Sequence, residues 1–161
     1  MYLVGFMAAG KTTVARALAR RLGWEAVDVD EVIEQRERQT VSDIFSRQGE
    51  GYFRAVERRA LLDQIPRRHS VVATGGGTFV DAQNRAAINA DGVSVWLDVP
   101  LDRLIDRVPA DGRRPLAADR AGFERLYYQR RAAYEQAHVR LDAGRASVDA
   151  LVEQLVDWLE H

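Results

Sequence analysis

The chain reads as an α/β protein built on a parallel sheet with helices over both faces. Three observations carry that reading. Short apolar runs of strand length alternate with longer stretches of helical period throughout the 161 residues. Runs such as Ser70-Val71-Val72-Ala73 are apolar without alternation, as strands covered on both faces are. Glycine-rich or acidic turns follow directly after the runs, at Gly5–Gly10, Asp28–Asp30 and Gly75–Gly77. In parallel sheets ligands bind at those carboxyl ends, so one cleft can hold all three.

The elements follow in order. Tyr2-Leu3-Val4 is a short first strand, and the residues after Gly10 form a helix ending near Gly23. Glu25–Asp28 is the second strand, and residues 30–38 are helical. Thr40 caps a helix at Val41-Ser42-Asp43-Ile44-Phe45, which Gly49 closes. An amphipathic helix covers Tyr52 to Gln64, with Phe53, Val56, Ala60 and Leu61 on one face. Residues 70–73 are a buried strand, 81–90 a helix, 93–97 a strand and 101–107 a short helix. Pro109 to Gly122, with its prolines, glycines and charges, reads as a mobile loop. Helices at 123–137 and 147–159 flank a last short strand at Val139-Arg140-Leu141.

Composition narrows the possible functions. The length suits a single domain, and 47% hydrophobic with 29% charged residues is ordinary for a globule. A formal net charge of −1 offers nothing to nucleic acid, so an anion site must be made locally. The absence of cysteine excludes disulfides, thiolate nucleophiles and cysteine-ligated metals. No apolar run is long enough to cross a membrane. A strand beginning at residue 2 leaves no room for a leader, so a cytoplasmic protein is expected, and the near-zero net charge without an apolar stripe favours a monomer. His69, His138 and His161 lack metal-ligand spacing.

The most informative segment is Gly5-Phe6-Met7-Ala8-Ala9-Gly10-Lys11-Thr12, which fits G-x-x-x-x-G-K-[ST]. Lys11 is the only lysine among 23 basic residues; the others are all arginine. A compact ammonium suits a tight backbone cradle where a guanidinium does not. The loop amides would wrap phosphates, the lysine would neutralise terminal phosphate charge, and Thr12 would ligate magnesium at the first helical turn.

Other features are less specific. Asp28-Val29-Asp30 ends a strand, and alternation would put both carboxylates on one side, one near a metal and one accepting a hydroxyl proton. Equally, Asp30 would simply cap the next helix. Arg54 and Glu57 sit one turn apart, either as a surface ion pair or with Arg54 gripping a substrate anion. Thr74-Gly75-Gly76-Gly77 costs entropy, which is tolerated where backbone approaches a ligand or takes unusual dihedrals. In the mobile loop, an arginine of Arg113-Arg114-Pro115-Leu116 would swing onto transferring phosphates, or would merely be solvated. Of Arg130 and Arg131, near Tyr134, at most one faces inward.

Taken together, in this order and spacing, these motifs resemble shikimate kinase, a small relative of the nucleoside monophosphate kinases. The resemblance runs over residues 2–158. It rests on Gly5–Thr12, the Asp28/Asp30 pair, Phe53-Arg54 with Glu57, Thr74–Gly77, Arg114-Pro115-Leu116, and Arg130 with Tyr134. It implies a P-loop NTPase fold, three-layer α/β/α with a five-stranded parallel sheet. The whole chain, 1–161, would be one kinase domain, with a lid at 109–121 and substrate-binding helices at 30–64. The implied reaction transfers the ATP γ-phosphoryl to the 3-hydroxyl of shikimate.

By the same resemblance Asp30 is base or orienter, with Lys11 and the lid's Arg114 over the phosphates. Gly5, Ala8, Ala9, Gly10, Lys11, Thr12 and Thr13 form the ATP loop. Arg107 and Arg145, the latter in Asp142-Ala143-Gly144-Arg145, lie by the adenine. Thr12 and Asp28 organise Mg2+, while Arg54 and Arg130 hold the shikimate carboxylate. Gly75, Gly76 and Gly77 line the ring, and Phe45 and Phe53 form an apolar wall. The chain departs from the family pattern at Ala8, where glycine is usual, and at Ala132-Ala133, where Pro-Leu is typical. The second departure leaves Arg131 as an alternative to Arg130. The readings from outside this family are a kinase for another polyol acid such as gluconate, and a silent nucleotide-binding module.

Overall fold

The computed structural model describes residues 1–108 and 119–161. Five strands, β1 (Tyr2–Val4), β2 (Glu25–Asp28), β3 (Ser70–Ala73), β4 (Ser94–Asp98) and β5 (Val139–Asp142), make one sheet. Its order is β2-β3-β1-β4-β5, and every pairing is parallel. Leu3 lies between Ala73 and Val95, which aligns the carboxyl ends of the three central strands. The loops after β1 and β3 therefore leave the sheet side by side. Strand order reverses at β1, the arrangement that opens a crevice for ligands.

Seven helices were found among the described residues: α1 (Lys11–Leu22), α2 (Val29–Glu37), α3 (Val41–Leu62), α4 (Ala82–Asp91), α5 (Leu101–Arg107), α6 (Arg120–Tyr134) and α7 (Val148–Glu160). A single 3₁₀ turn, Thr78–Val80, precedes α4. The chain steps one way from β1 to β2 and the other way for the remaining strands. Right-handed crossovers then put α1 on one face and the later crossover helices on the other. The packing agrees: α7 docks on α1, and α3 on α4. The result is a three-layer α/β/α fold.

Strand residues such as Leu3, Val4, Val71 and Val95 are fully buried between the layers. Leu18 of α1, Ile88 of α4 and Leu155 of α7 close on them from the helices. Side-chain caps start α3 at Thr40, α4 at Asp81 and α7 at Ser147. Among the described residues no helix is long and apolar enough to cross a membrane.

Most boundaries differ from the sequence-based ones by a residue or two, but two differences matter. The loop expected through Gly122 ends earlier, because Asp119 accepts a bond from the Ala121 amide and starts α6 at Arg120. Most of the lid expected at 109–121, with Arg113 and Arg114, falls in 109–118, outside the described residues. The expected break at Gly49 is a kink inside α3, where Gly49 takes φ 83° and ψ 172°. The positive φ there favours glycine.

Candidate active site

A cleft of about 920 Å³ opens over the carboxyl ends of β1, β2 and β3. Its first wall is the phosphate-binding loop. Gly10, at φ 94°, ends the loop and caps α1 without a side-chain bond. The first amides of a helix left in this way form a ready anion site. The Lys11 ammonium folds back over the loop and donates to the Gly5 and Phe6 carbonyls at 2.7 and 2.8 Å. Gly5 is required by packing as well as by its φ of 146°: a Cβ there would sit 2.9 Å from the Leu97 carbonyl. Ala8, Ala9, Gly10, Lys11, Thr12 and Thr13 all line the cleft. Ala8 takes φ 65°, a left-handed conformation that costs an L-residue about 1–2 kcal/mol.

The acidic pair is built differently from the extended Asp28-Val29-Asp30 that alternation predicts. The strand stops at Asp28, and Val29 already begins α2. Asp28, not Asp30, is the helix cap: its Oδ1 accepts from the Glu31 amide at 3.1 Å. Its Oδ2 accepts from the Thr12 hydroxyl. Asp30 instead sits in the first helical turn. Both carboxylates still line the cleft, because the helix begins where β2 delivers the chain.

The triple glycine is explained by room, not by backbone freedom. None of Gly75, Gly76 or Gly77 takes a positive φ. Each instead clears space for a different side chain. A Cβ on Gly75 would lie 3.1 Å from Asp30 Oδ1 and from Glu57 Oε2. One on Gly76 would lie 3.1 Å from Arg130 Nη1, and one on Gly77 only 2.5 Å from both terminal nitrogens of Arg54. The turn thus gathers Asp30, Arg130 and Arg54 around one point.

Arg54 and Glu57 are not the surface pair that the i, i+3 spacing also allows. The Glu57 side chain is 1% exposed, and its Oε1 accepts from Arg54 Nη1 at 3.0 Å. Burial lowers the pKa of Arg130, with the nearby Arg54 charge adding to that shift. Two guanidiniums held this close in a buried corner favour an anion between them. Tyr134 shores up this corner by donating to the Gly76 carbonyl at 2.5 Å. Burial raises its phenol to about 12. Phe45 and Phe53, with ring centres 4.7 Å apart, supply the apolar part of the wall.

Arg131 points elsewhere. It donates to Asp98 Oδ1 at 3.0 Å and to the Tyr127 hydroxyl at 2.8 Å, stacked over Trp96. Arg107 reaches the edge of the phosphate loop, donating to the Ala8 carbonyl at 3.4 Å. Arg145, in the turn after β5, is exposed and does not line the cleft. Sequence reasoning missed Thr78, whose hydroxyl is fully buried behind the glycines. It also missed Glu34, which lines the cleft and accepts from the Val41 amide at 3.0 Å. A threonine directly after three glycines was the available signal for the first. Nothing in the spacing pointed to the second.

Known proteins resemble this chain in sequence and in fold. The family model described as shikimate kinase matches residues 7–160. Shikimate kinase of Persephonella marina is 37% identical over 97% of this chain and 96% of its own length. Among solved structures, shikimate kinase from Acinetobacter baumannii in complex with shikimate superposes with a TM-score of 0.94. It is 34% identical and covers 99% of this chain and 91% of its own. The enzyme from Aquifex aeolicus reaches 0.89 at 31% identity, covering 99% and 95%. Deoxyadenosine kinase from M. mycoides, at 16% identity and a TM-score of 0.67, shares the fold. On the strength of the family match and of relatives aligned along nearly its whole length, this chain belongs to the shikimate kinase family.

Proposed function

We propose that the protein transfers the γ-phosphoryl group of ATP to the 3-hydroxyl of shikimate, releasing ADP and shikimate 3-phosphate. The observation that carries this is the convergence of a phosphate-binding loop, a carboxylate and two guanidiniums on one glycine turn. Shikimate is an anion bearing several hydroxyls, so the guanidiniums and the carboxylate have counterparts in it, while the loop has its counterpart in the phosphates of ATP.

Arg54 and Arg130 take the acceptor carboxylate, since a guanidinium fork orients as well as attracts. Asp30 accepts the proton of the attacking hydroxyl as its oxygen bonds to the γ-phosphorus and the bond to the ADP oxygen breaks. Lys11 and the first amides of α1 stabilise charge on the phosphates. Arg107 borders the nucleotide side of the cleft, and Arg145 belongs to the adenine site only if the adenine extends beyond that lining. Arg114, by the sequence resemblance, stabilises charge on the transferring phosphates.

Among the described residues no cluster of three or more acidic, histidine or cysteine side chains could cage a metal. The hydroxyl of Thr12 and the carboxylate of Asp28 nevertheless meet beside the loop. Such an oxygen pair fits a hard divalent ion that completes its shell with phosphates and water. Thr12 and Asp28 would hold Mg2+, which when bound neutralises charge on the nucleotide phosphates.

The test is ADP release with MgATP and shikimate, gluconate, quinate or nucleoside monophosphates as acceptors. Turnover with shikimate alone is the expected result. A preference for gluconate overturns the substrate, and tight ATP binding without any turnover leaves a nucleotide-binding module. We place the enzyme in the cytoplasm as a single-domain monomer without nucleic-acid partners, which size-exclusion chromatography with light scattering checks for the oligomeric state.

A further inference from the structure

We propose that Thr78 is a positioning residue of the acceptor site, setting through Glu57 the plane in which Arg54 meets the acceptor's carboxylate. The inference rests on the acceptor reading above for its substrate but not for its geometry. Thr78 is fully buried, and its hydroxyl joins two separate pieces of the site. Its Oγ1 accepts from the Gly75 amide at 3.0 Å and donates to Glu57 Oε2 at 3.0 Å. The direction of both bonds is forced, because an amide can only donate and an ionised carboxylate can only accept. The main chain closes the same turn from the other side, with the Thr78 amide donating to the Gly75 carbonyl at 3.3 Å.

Glu57 is thereby held from two directions. Thr78 holds Oε2, and Arg54 Nη1 donates to both oxygens at 3.0 and 3.2 Å. The guanidinium has little room to shift, because the Gly77 backbone stands so close that a Cβ there would lie 2.5 Å from both terminal nitrogens. Glu57 shares the fork with Glu50, whose Oε1 lies 3.6 Å from Nη2, and with the Phe53 ring 5.3 Å from Cζ, but of the two carboxylates only Glu57 is buried and held by Thr78. A carboxylate that lost its bond to Thr78 would still attract Arg54 but would have only that arginine left to fix its angle. Bidentate recognition depends on that angle, whereas simple charge attraction does not.

The experiment compares Thr78→Val, which keeps the branched shape and loses the hydroxyl, with Thr78→Ser, which keeps the hydroxyl. Thr78→Val should raise the KM for shikimate about tenfold, the loss expected for one hydrogen bond to a charged group. Its kcat and its KM for ATP should change by no more than about twofold, and Thr78→Ser should behave like the parent. A merely structural threonine would instead lower Tm and the active fraction, and so kcat, with the KM for shikimate unmoved. An unchanged KM in folded Thr78→Val overturns the proposal. The Arg54 Nε–Hε resonance in a ¹⁵N correlation spectrum gives a reading that needs no substrate. It should move in Thr78→Val and not in Thr78→Ser, and a stationary resonance overturns the proposal too. Should the parent fail to phosphorylate shikimate, the functional reading falls and this resonance alone decides the role of Thr78. Thr78→Ala carries both measurements if the valine does not fold.

Discussion

Replacing Gly77 by alanine separates binding from stability unusually well. Gly77 takes φ −98° and ψ −8°, which alanine adopts without strain. On the backbone alone the change should be neutral or stabilise the fold by about 0.4–1 kcal/mol, since alanine has fewer unfolded conformations to lose. The side chain tells a different story. Its Cβ would stand 2.5 Å from both terminal nitrogens of Arg54 and 2.7 Å from Cζ. Ordinary contact needs about 3.5 Å, so the guanidinium must retreat by about 1 Å. Because it is the tip of a flexible, part-exposed side chain, it can swing aside, giving up its 3.0 Å bond to the buried Glu57 as it does so. A displacement of about 1 Å in a group that positions substrate costs up to about 100-fold. Hydrogen bonds to charged groups, worth about 1.5–3 kcal/mol, give a similar range. The KM for shikimate should therefore rise by roughly 10- to 100-fold, approaching the effect of Arg54→Ala, while the KM for ATP stays put. Coupled ADP release with each substrate varied, beside a thermal melt, measures both halves. A folded variant whose KM for shikimate stays within about twofold of the parent would refute the placement of Arg54 at the acceptor carboxylate.

Other expectations can be checked with the same protein. Asp30→Asn should lower kcat by about 10² or more with ATP binding nearly intact, measured by turnover and nucleotide titration; unaltered turnover removes Asp30 from proton transfer. Ala8→Gly relieves a left-handed alanine worth about 1–2 kcal/mol and gives back about 0.5–1 in chain entropy, so Tm should hold or rise by up to about 6 °C. A lower Tm would mean that the loop does not strain at Ala8. The Tyr134 phenol, raised by burial to about 12, favours the folded state below its ordinary value near 10 and loses that contribution as pH climbs through 12. Urea titrations between pH 10 and 12 should show the parent losing about 2–3 kcal/mol more than Tyr134→Phe over that window. Parallel curves would show that Tyr134 ionises as easily folded as unfolded.

How far the site was legible in the sequence depended on whether a residue's role is local. The loop from Gly5 to Thr12 has its meaning written within a few residues, because phosphate binding uses its own amides and the helix that follows. Lys11 stood out further by being the only lysine. The alternation of apolar runs and helical stretches was enough for the parallel sheet, since strands covered on both faces cannot alternate. The errors came where two local rules compete. At Asp28 the end of an edge strand and the start of a helix fall on one residue, and capping won. At Asp119 a cap extended α6 into a stretch whose composition reads as loop.

Arg54, Arg130 and the glycines could be recognised by their motifs, but their geometry could not. A charge three residues from another is most often a solvated pair, and only burial distinguishes the two cases. Burial is a property of the sheet order, which brings β3 beside β1 and sets the turn after it against α3 and α6. The sequence by itself determined the nucleotide loop, the layered class of the fold and the chemical types assembled around the reaction. The tertiary structure decided which of two adjacent arginines faces the cleft, which aspartate caps and which lies against the glycine turn, and why three glycines are consecutive. Those outcomes turn on distances between residues far apart in the chain, and local propensity carries no record of such distances.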